Sequence, residues 1–122
     1  MLQGAYHLGP IVGMAADAPP ETLRVLHINE AGLVVGVTEH SDGLSGRVAV
    51  PLRRIVADAL AYEATALILS HNHPGGDPRP SRADIAATNH LVRIVAALGI
   101  RVHDHIVTGG PRDFSFRAAG LL

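Results

Sequence analysis

Two histidines one residue apart, His71 and His73, open the segment HNHPGGDPRPSRAD, which ends on Ser81, two further residues and Asp84. On an extended backbone, residues i and i+2 project to the same side, so both imidazoles can reach one ion about 2.0–2.1 Å away. A carboxylate is the natural third ligand. The intervening PGGDPRPSRA is a stiff, turning loop that can bring Asp84 back toward the histidines at the start of the next element. Two His and one Asp leave a fourth position for water, as catalytic zinc sites require. The plainer reading is a capped helix: Ser81-x-x-Asp84 before an apolar run is also a capping-box pattern, and HPGGDPRP is ordinary loop composition. Either half alone is weak, but their conjunction at the end of a buried strand favours a metal loop.

The surrounding pattern supplies elements to position these residues. ATALILS, just ahead of His71, is a nearly continuous apolar run, as in a strand buried on both faces. From Ser81 to Leu98, Ile85, Thr88, Leu91, Val92, Val95 and Leu98 recur at helical spacing, and Gly99 stops the helix. Upstream, TLRVLHIN and GLVVGVTE read as a hairpin about NEAG. The loop HSDGLSG and a short strand at RVAV follow. PLRRIVADALAY carries Leu52, Ile55, Val56, Ala59 and Leu60 as an amphipathic stripe behind Pro51 at a favourable first-turn position, so this helix should pack on the sheet. After the second helix come a strand at IRVHDHIVTG, a turn at GGPRD, an edge strand at FSFR and a closing turn at AAGLL. The expected order is β-β-β-α-β-α-β-β, a single α/β domain with a mixed sheet flanked by helices. Residues 1–20, rich in Gly, Ala and Pro, read as a lead-in arm with a helical turn near Val12 to Ala16, and residues 21–122 as the domain.

Composition narrows the chemistry. With 122 residues, 48% hydrophobic and 17% charged, the chain is long enough to bury a core. Cysteine is absent, so a metal must be held by His, Asp or Glu, and eight histidines make that feasible. The ten cationic side chains are all Arg and scattered, and the formal net charge is −1, which argues against nucleic acid as a partner. No apolar run of membrane-spanning length and no signal-peptide pattern occurs, so the expected location is the cytoplasm, without a membrane partner.

The run His71-Asn72-His73, the seven positions from Pro74 to Pro80, Ser81, two positions and Asp84 resembles the H-x-H-x7-S-x2-D signature of the JAMM (MPN+, JAB) metalloproteases. More narrowly, ALILSHNHPGGDPRPSRAD, LGIRVHDHIVTG and SFRAAGLL resemble the RadC-like branch, over about residues 21 to 122. The resemblance implies a JAB/MPN domain of cytidine-deaminase-like architecture and a zinc-dependent peptidase or isopeptidase. His71, His73 and Asp84 would then hold one Zn2+ per chain, lowering the pKa of a water from about 15.7 toward about 7. Ser81 would donate to the oxyanion of the attacked carbonyl.

The family signature also includes an upstream glutamate as general acid/base. By residue type alone, Glu21, Glu30, Glu39 and Glu63 are all candidates. In RadC-like proteins that glutamate begins the first core strand, and ETLRVLHIN resembles that segment, so the resemblance implies Glu21. Glu39, at the end of a strand near the site, is the runner-up. The family pattern has an Asp-His pair without metal coordination where this chain has Asp104 and His105, so these read as core groups or as partners orienting a ligand imidazole. His103 and His105 are expected on one side of their strand, Asp77 as a loop-turn residue, and His7, His27, His40 and His90 without function.

Two other functions compete with hydrolysis: a non-catalytic metal-binding or protein-interaction module, and a role in DNA repair of the kind associated with RadC. Longer relatives carry an N-terminal helix-hairpin-helix-like DNA-binding region, and the expectation here is a chain that starts almost directly at the catalytic domain. A small or extended peptide is the expected substrate, because little of the chain beyond the 40 to 46 loop is free to grip a folded protein. The apolar N-terminal arm leaves a homodimer open.

Overall fold

The computed structural model describes residues 21–41 and 50–122. The expected arm at residues 1–20 with its helical turn, most of the loop after the first hairpin, and all but the last residue of the RVAV strand lie outside the described residues. Two strands open the fold, β1 (Thr22–Ile28) and β2 (Val34–Ser41), followed by α1 (Leu52–Ala61) and β3 (Ala66–Asn72). Helix α2 (Arg82–Ala96) and strands β4 (Arg101–Gly109) and β5 (Arg112–Ser115) complete it. The strands form one mixed sheet in the order β2-β1-β3-β4-β5. Only β3 and β4 are parallel, and they are joined through α2; the other neighbouring pairs are antiparallel. This is the α/β architecture expected from the sequence.

β3 lies at the centre, and each of its seven residues is buried. Its side chains alternate between two apolar clusters. Leu67 and Leu69 join Leu23 and Val25 of β1, Ile55 and Ala59 of α1, and Leu91 and Val95 of α2. Ala66 and Ile68 join Leu26 and Ile28 on the opposite face. Both described helices therefore cover the same face of the sheet. β2, at an edge, alternates half-buried and exposed residues, as a strand with one solvated face must.

Local chemistry sets the element ends. α1 follows Pro51, its N-cap, and makes no side-chain capping bond. α2 has a full capping box: the Asp84 N–H donates to Ser81 Oγ at 3.0 Å, and the Ser81 N–H donates to Asp84 Oδ2 at 2.8 Å. It closes at Ala96, two residues before the expected Leu98, and Gly99 takes the left-handed turn at φ 75°. β2 runs on through His40 and Ser41, read from the sequence as loop, because Ser41 pairs with Thr22 at the start of β1. β5 begins two residues earlier than FSFR, since the Gly110–Pro111 turn lets Arg112 pair with Gly109 at once. Among the described residues no helix is long and apolar enough to cross a membrane.

Candidate metal centre

The antiparallel register of β1 and β3 assembles the site. Leu23 pairs with His71 and Val25 with Leu69, so one step further Glu21 lies across from His73. Asn72, between the two histidines, accepts the Thr22 N–H through Oδ1 at 2.6 Å and pins the chain beside Glu21. The result is a tight group: His71 Nε2 lies 2.9 Å from His73 Nε2, and Glu21 Oε1 lies 3.9 and 3.7 Å from the two nitrogens. Glu21, His71 and His73 each offer a ligand atom within 4.8 Å of one another, so this group can hold a metal ion.

Asp84 arrives from the other side, on the first turn of α2. Its Oδ2 is 3.4 Å from His73 Nε2 and its Oδ1 4.0 Å from His71 Nε2. The capping box that starts the helix also orients this carboxylate, because the Ser81 N–H holds Oδ2. The cap and metal-loop readings of the sequence are thus geometrically compatible. Ser81 Oγ accepts from the Asp84 N–H, which leaves its own O–H free of that bond to donate outward. All five residues singled out from the sequence, Glu21, His71, His73, Ser81 and Asp84, lie at this end of the sheet.

The loop between the histidines and α2 is braced from three directions. The His73 N–H donates to the Thr108 carbonyl at 2.6 Å, carrying the β3–β4 pairing past the strand end. The His73 ring contacts the Asp77 carbonyl through Nδ1 at 2.8 Å. A carbonyl only accepts, so Nδ1 carries the proton and Nε2 presents a lone pair to the site. The Asp77 carboxylate is turned away and grips Arg79 at 2.8 Å, and that hydrogen bonding holds the Asp77 carboxyl down at about 2. Gly109 lies beneath: a Cβ there would stand 2.7 Å from Pro78 N, so the loop and β4 can approach this closely only at a glycine.

Behind the site, His71 Nδ1 lies 2.8 Å from His105 Nε2, and His105 Nδ1 lies 2.8 Å from Thr88 Oγ1. His105 is 1% exposed and stacks on Phe116, with ring centroids 4.4 Å apart and planes inclined at 10°. Burial pushes the His71 imidazole down to about 4, with Asp84 opposing and His73 reinforcing the shift. Burial likewise takes His105 well below the ordinary value, reinforced by His71 and His73. Both rings are neutral near pH 7, as ligating or hydrogen-bonding imidazoles need to be.

A bulge decides which histidine reaches this position. Leu67 pairs with Val102 but Ile68 with Asp104, so the register shifts by one residue at His103. This shift breaks the alternation expected between His103 and His105 and sets His105 beside Leu69, on the face of His71. Asp104 is engaged on the other side of His105: its carboxylate accepts from the His105 and Arg117 N–H groups and from the Ser115 hydroxyl. Thr88 appears in the sequence only as a member of an apolar helical stripe, and a hydroxyl at such a core position is the one signal of its role.

The remaining glutamates lie elsewhere. Glu39 pairs with Arg24 at 2.8 Å on the opposite face of the sheet, Glu30 is exposed in the hairpin turn, and Glu63 is exposed after α1. His27 is buried against Thr38 and Tyr62 and His90 is exposed, both away from the site.

The donor set fits a divalent cation. Two carboxylates and the His73 Nε2 lone pair converge with His71 Nε2, a cluster dominated by acceptors that a cation complements. A family model described as the RadC-like JAB domain matches residues 8–121. A UPF0758 protein of Rhodobacter capsulatus is 47% identical over 107 residues, covering 88% of this chain and 50% of the relative. A UPF0758 protein of Salinibacter ruber is 36% identical over 115 residues, 93% of this chain and 48% of the relative. UPF0758 protein YeeS of Escherichia coli K12 is 38% identical over 102 residues, 84% and 69% of the two chains. The chain spans about half the length of the Rhodobacter and Salinibacter relatives. With the match extending over nearly all of the sequence, including every residue of the histidine and carboxylate cluster, the chain belongs to the RadC-like JAB domain family.

Proposed function

We propose that the chain is a zinc-dependent metallopeptidase or isopeptidase, with His71, His73 and Asp84 holding one Zn2+, Glu21 as general acid/base and Ser81 as an oxyanion donor. One relationship carries the reading: two carboxylates from opposite sides, Glu21 and Asp84, meet the same pair of imidazole nitrogens within 4.0 Å. When bound, the ion supplies Lewis acidity, lowering the pKa of an adjacent water toward about 7 and polarising the substrate carbonyl.

The division of labour between the carboxylates is the one the family signature implies, and the helix cap on Asp84 supports it. Asp84 Oδ2 is at 3.4 Å from His73 Nε2 and is fixed by the helix cap, as suits a ligand. Glu21, at 3.9 and 3.7 Å from the His71 and His73 nitrogens, is about as near as Asp84, at 4.0 and 3.4 Å, and the family signature is what gives it the proton-transfer role. From there its carboxylate takes the proton of the attacking water and returns it to the leaving amine. The Ser81 hydroxyl points its proton at the developing oxyanion while its lone pair still caps α2. The same reading takes an extended peptide or protein tail as substrate and the cytoplasm as the location, in keeping with a chain without cysteine.

Metal analysis of the chain and of His71→Ala and Asp84→Ala tests the site, with about one zinc per chain expected in the parent and loss in both variants. Retention of that zinc by both variants overturns the ligand assignment. A peptide panel showing no zinc-dependent cleavage by a zinc-loaded parent would favour a non-catalytic metal-binding module.

A further inference from the structure

We infer that His105 is a positioning residue for the metal centre: backed by Thr88, it holds His71 in the tautomer that presents the Nε2 lone pair to the ion. The inference rests on the metal reading proposed above, and deepens it by assigning a role to a buried pair that touches no substrate.

The chain of contacts has two possible senses, because each imidazole and the hydroxyl can donate at one end and accept at the other. In one sense, His71 Nδ1–H donates to His105 Nε2, and His105 Nδ1–H donates to Thr88 Oγ1, both across 2.8 Å. His71 Nε2 is then bare. In the other sense the Thr88 hydroxyl donates to His105, His105 Nε2–H donates to His71 Nδ1, and a proton sits on His71 Nε2. That proton would point at His73 Nε2, 2.9 Å away, in the middle of the site. Only the first sense makes His71 a ligand. A ligating imidazole generally needs a partner for its second nitrogen, and here the partner is a second imidazole with its own acceptor behind it.

Three observations mark this arrangement as a built support. His105 reaches the correct face only because of the bulge at His103. Its ring is clamped by the near-parallel stack on Phe116 and is 1% exposed, so its orientation is fixed from the side. Thr88 follows Asp84 by four residues, one turn along the same face of α2, so a single helix presents Asp84 to the front of the centre and the terminal acceptor to the back of it.

Two substitutions separate support from mere packing. His105→Phe keeps a ring against Phe116 and removes the acceptor, whereas His105→Gln loses the stack but offers a carbonyl oxygen near the position of Nε2. By competition titration with Zn2+ alone, His105→Phe is expected to bind about 10–100-fold more weakly than the parent, and His105→Gln within about threefold of it. A purely structural role predicts that affinity follows the melting temperature of the metal-free variants instead. Long-range proton–nitrogen correlation spectra of the zinc-loaded parent should show His71 and His105 both protonated at Nδ1. Zinc affinity of His105→Phe within about threefold of the parent, or a His105 proton on Nε2 in the loaded chain, overturns the inference. The His71→Ala control distinguishes the two levels: unchanged zinc affinity there sinks the metal centre itself, while loss there with retention in His105→Phe sinks only the role of His105.

Discussion

Glu21 Oε1 stands 3.7 Å from His73 Nε2, although β1, β2, α1 and β3 lie between the two residues in the chain. Antiparallel pairing of β1 with β3 is what closes that distance, and the proposed function gives Glu21 a different task from Asp84. Glu21→Gln is expected to keep zinc and lose about 10²–10⁴-fold in peptide hydrolysis, whereas Asp84→Asn loses zinc as well. Zinc content and turnover measured on the same preparations check this. Loss of zinc in Glu21→Gln with retention in Asp84→Asn would exchange the two roles.

Ser81 caps α2 and, in the proposed function, also serves the site, and glycine separates the two. A Ser→Gly change at an N-cap costs only a few tenths of a kcal/mol, while Ser→Ala costs about 0.5–2 kcal/mol. Both remove the hydroxyl that the proposed function assigns to the oxyanion. Urea denaturation should therefore place Ser81→Gly near the parent and Ser81→Ala below it, with turnover lowered about 10²–10³-fold in both. Parent-like turnover in Ser81→Gly would remove the hydroxyl from the chemistry.

Gly109 allows the loop after His73 to lie against β4. Adding a methyl group there would bring carbon to 2.9 Å from the Asp77 carbonyl carbon, and the Asp77 oxygen is the acceptor that orients His73. Gly109→Ala should lower stability by about 1–3 kcal/mol through overpacking. Zinc affinity should also fall, by about tenfold or more, because the acceptor behind His73 moves. Denaturation and zinc titration measure the two effects; unchanged zinc affinity would show that the loop shifts without disturbing His73.

Acid should destabilise the metal-free chain through its buried histidines. Burial lowers the pKa of His71, to about 4, and lowers those of His105, His27 and His40. Unfolding returns each ring toward about 6.5, so the unfolded chain binds more protons below that value. Stability is full above about pH 6.5 and declines as pH falls toward about 4, the folded value of His71. In chelator, the urea midpoint should be lower at about pH 5 than at about pH 7.5; an equal or higher midpoint at the lower pH would contradict the burial of these rings as neutral groups.

The local parts of this design are legible in the sequence. His71 and His73 share a side because an extended chain alternates, and Ser81 and Asp84 begin α2 because the capping box is a four-residue geometry. ATALILS reads as a central strand because it is a nearly continuous apolar run, and in the fold every residue of Ala66–Asn72 is buried. The choice among four glutamates is not local. Residue type leaves Glu39 as eligible as Glu21, and family resemblance favours one of them. In the fold, Glu39 pairs with Arg24 on the far face while Glu21 meets the histidines, a difference set by strand register.

The same holds for His105. Its spacing from His103 predicts a shared side, and a one-residue register shift in β4 breaks that alternation and delivers His105 to His71. By itself, then, the sequence determined a metal-type loop feeding a capped helix, because those geometries extend over a few bonded neighbours. The tertiary structure decided which glutamate faces the loop and which imidazole stands behind it, because register and bulges arise from pairing between strands far apart in the chain.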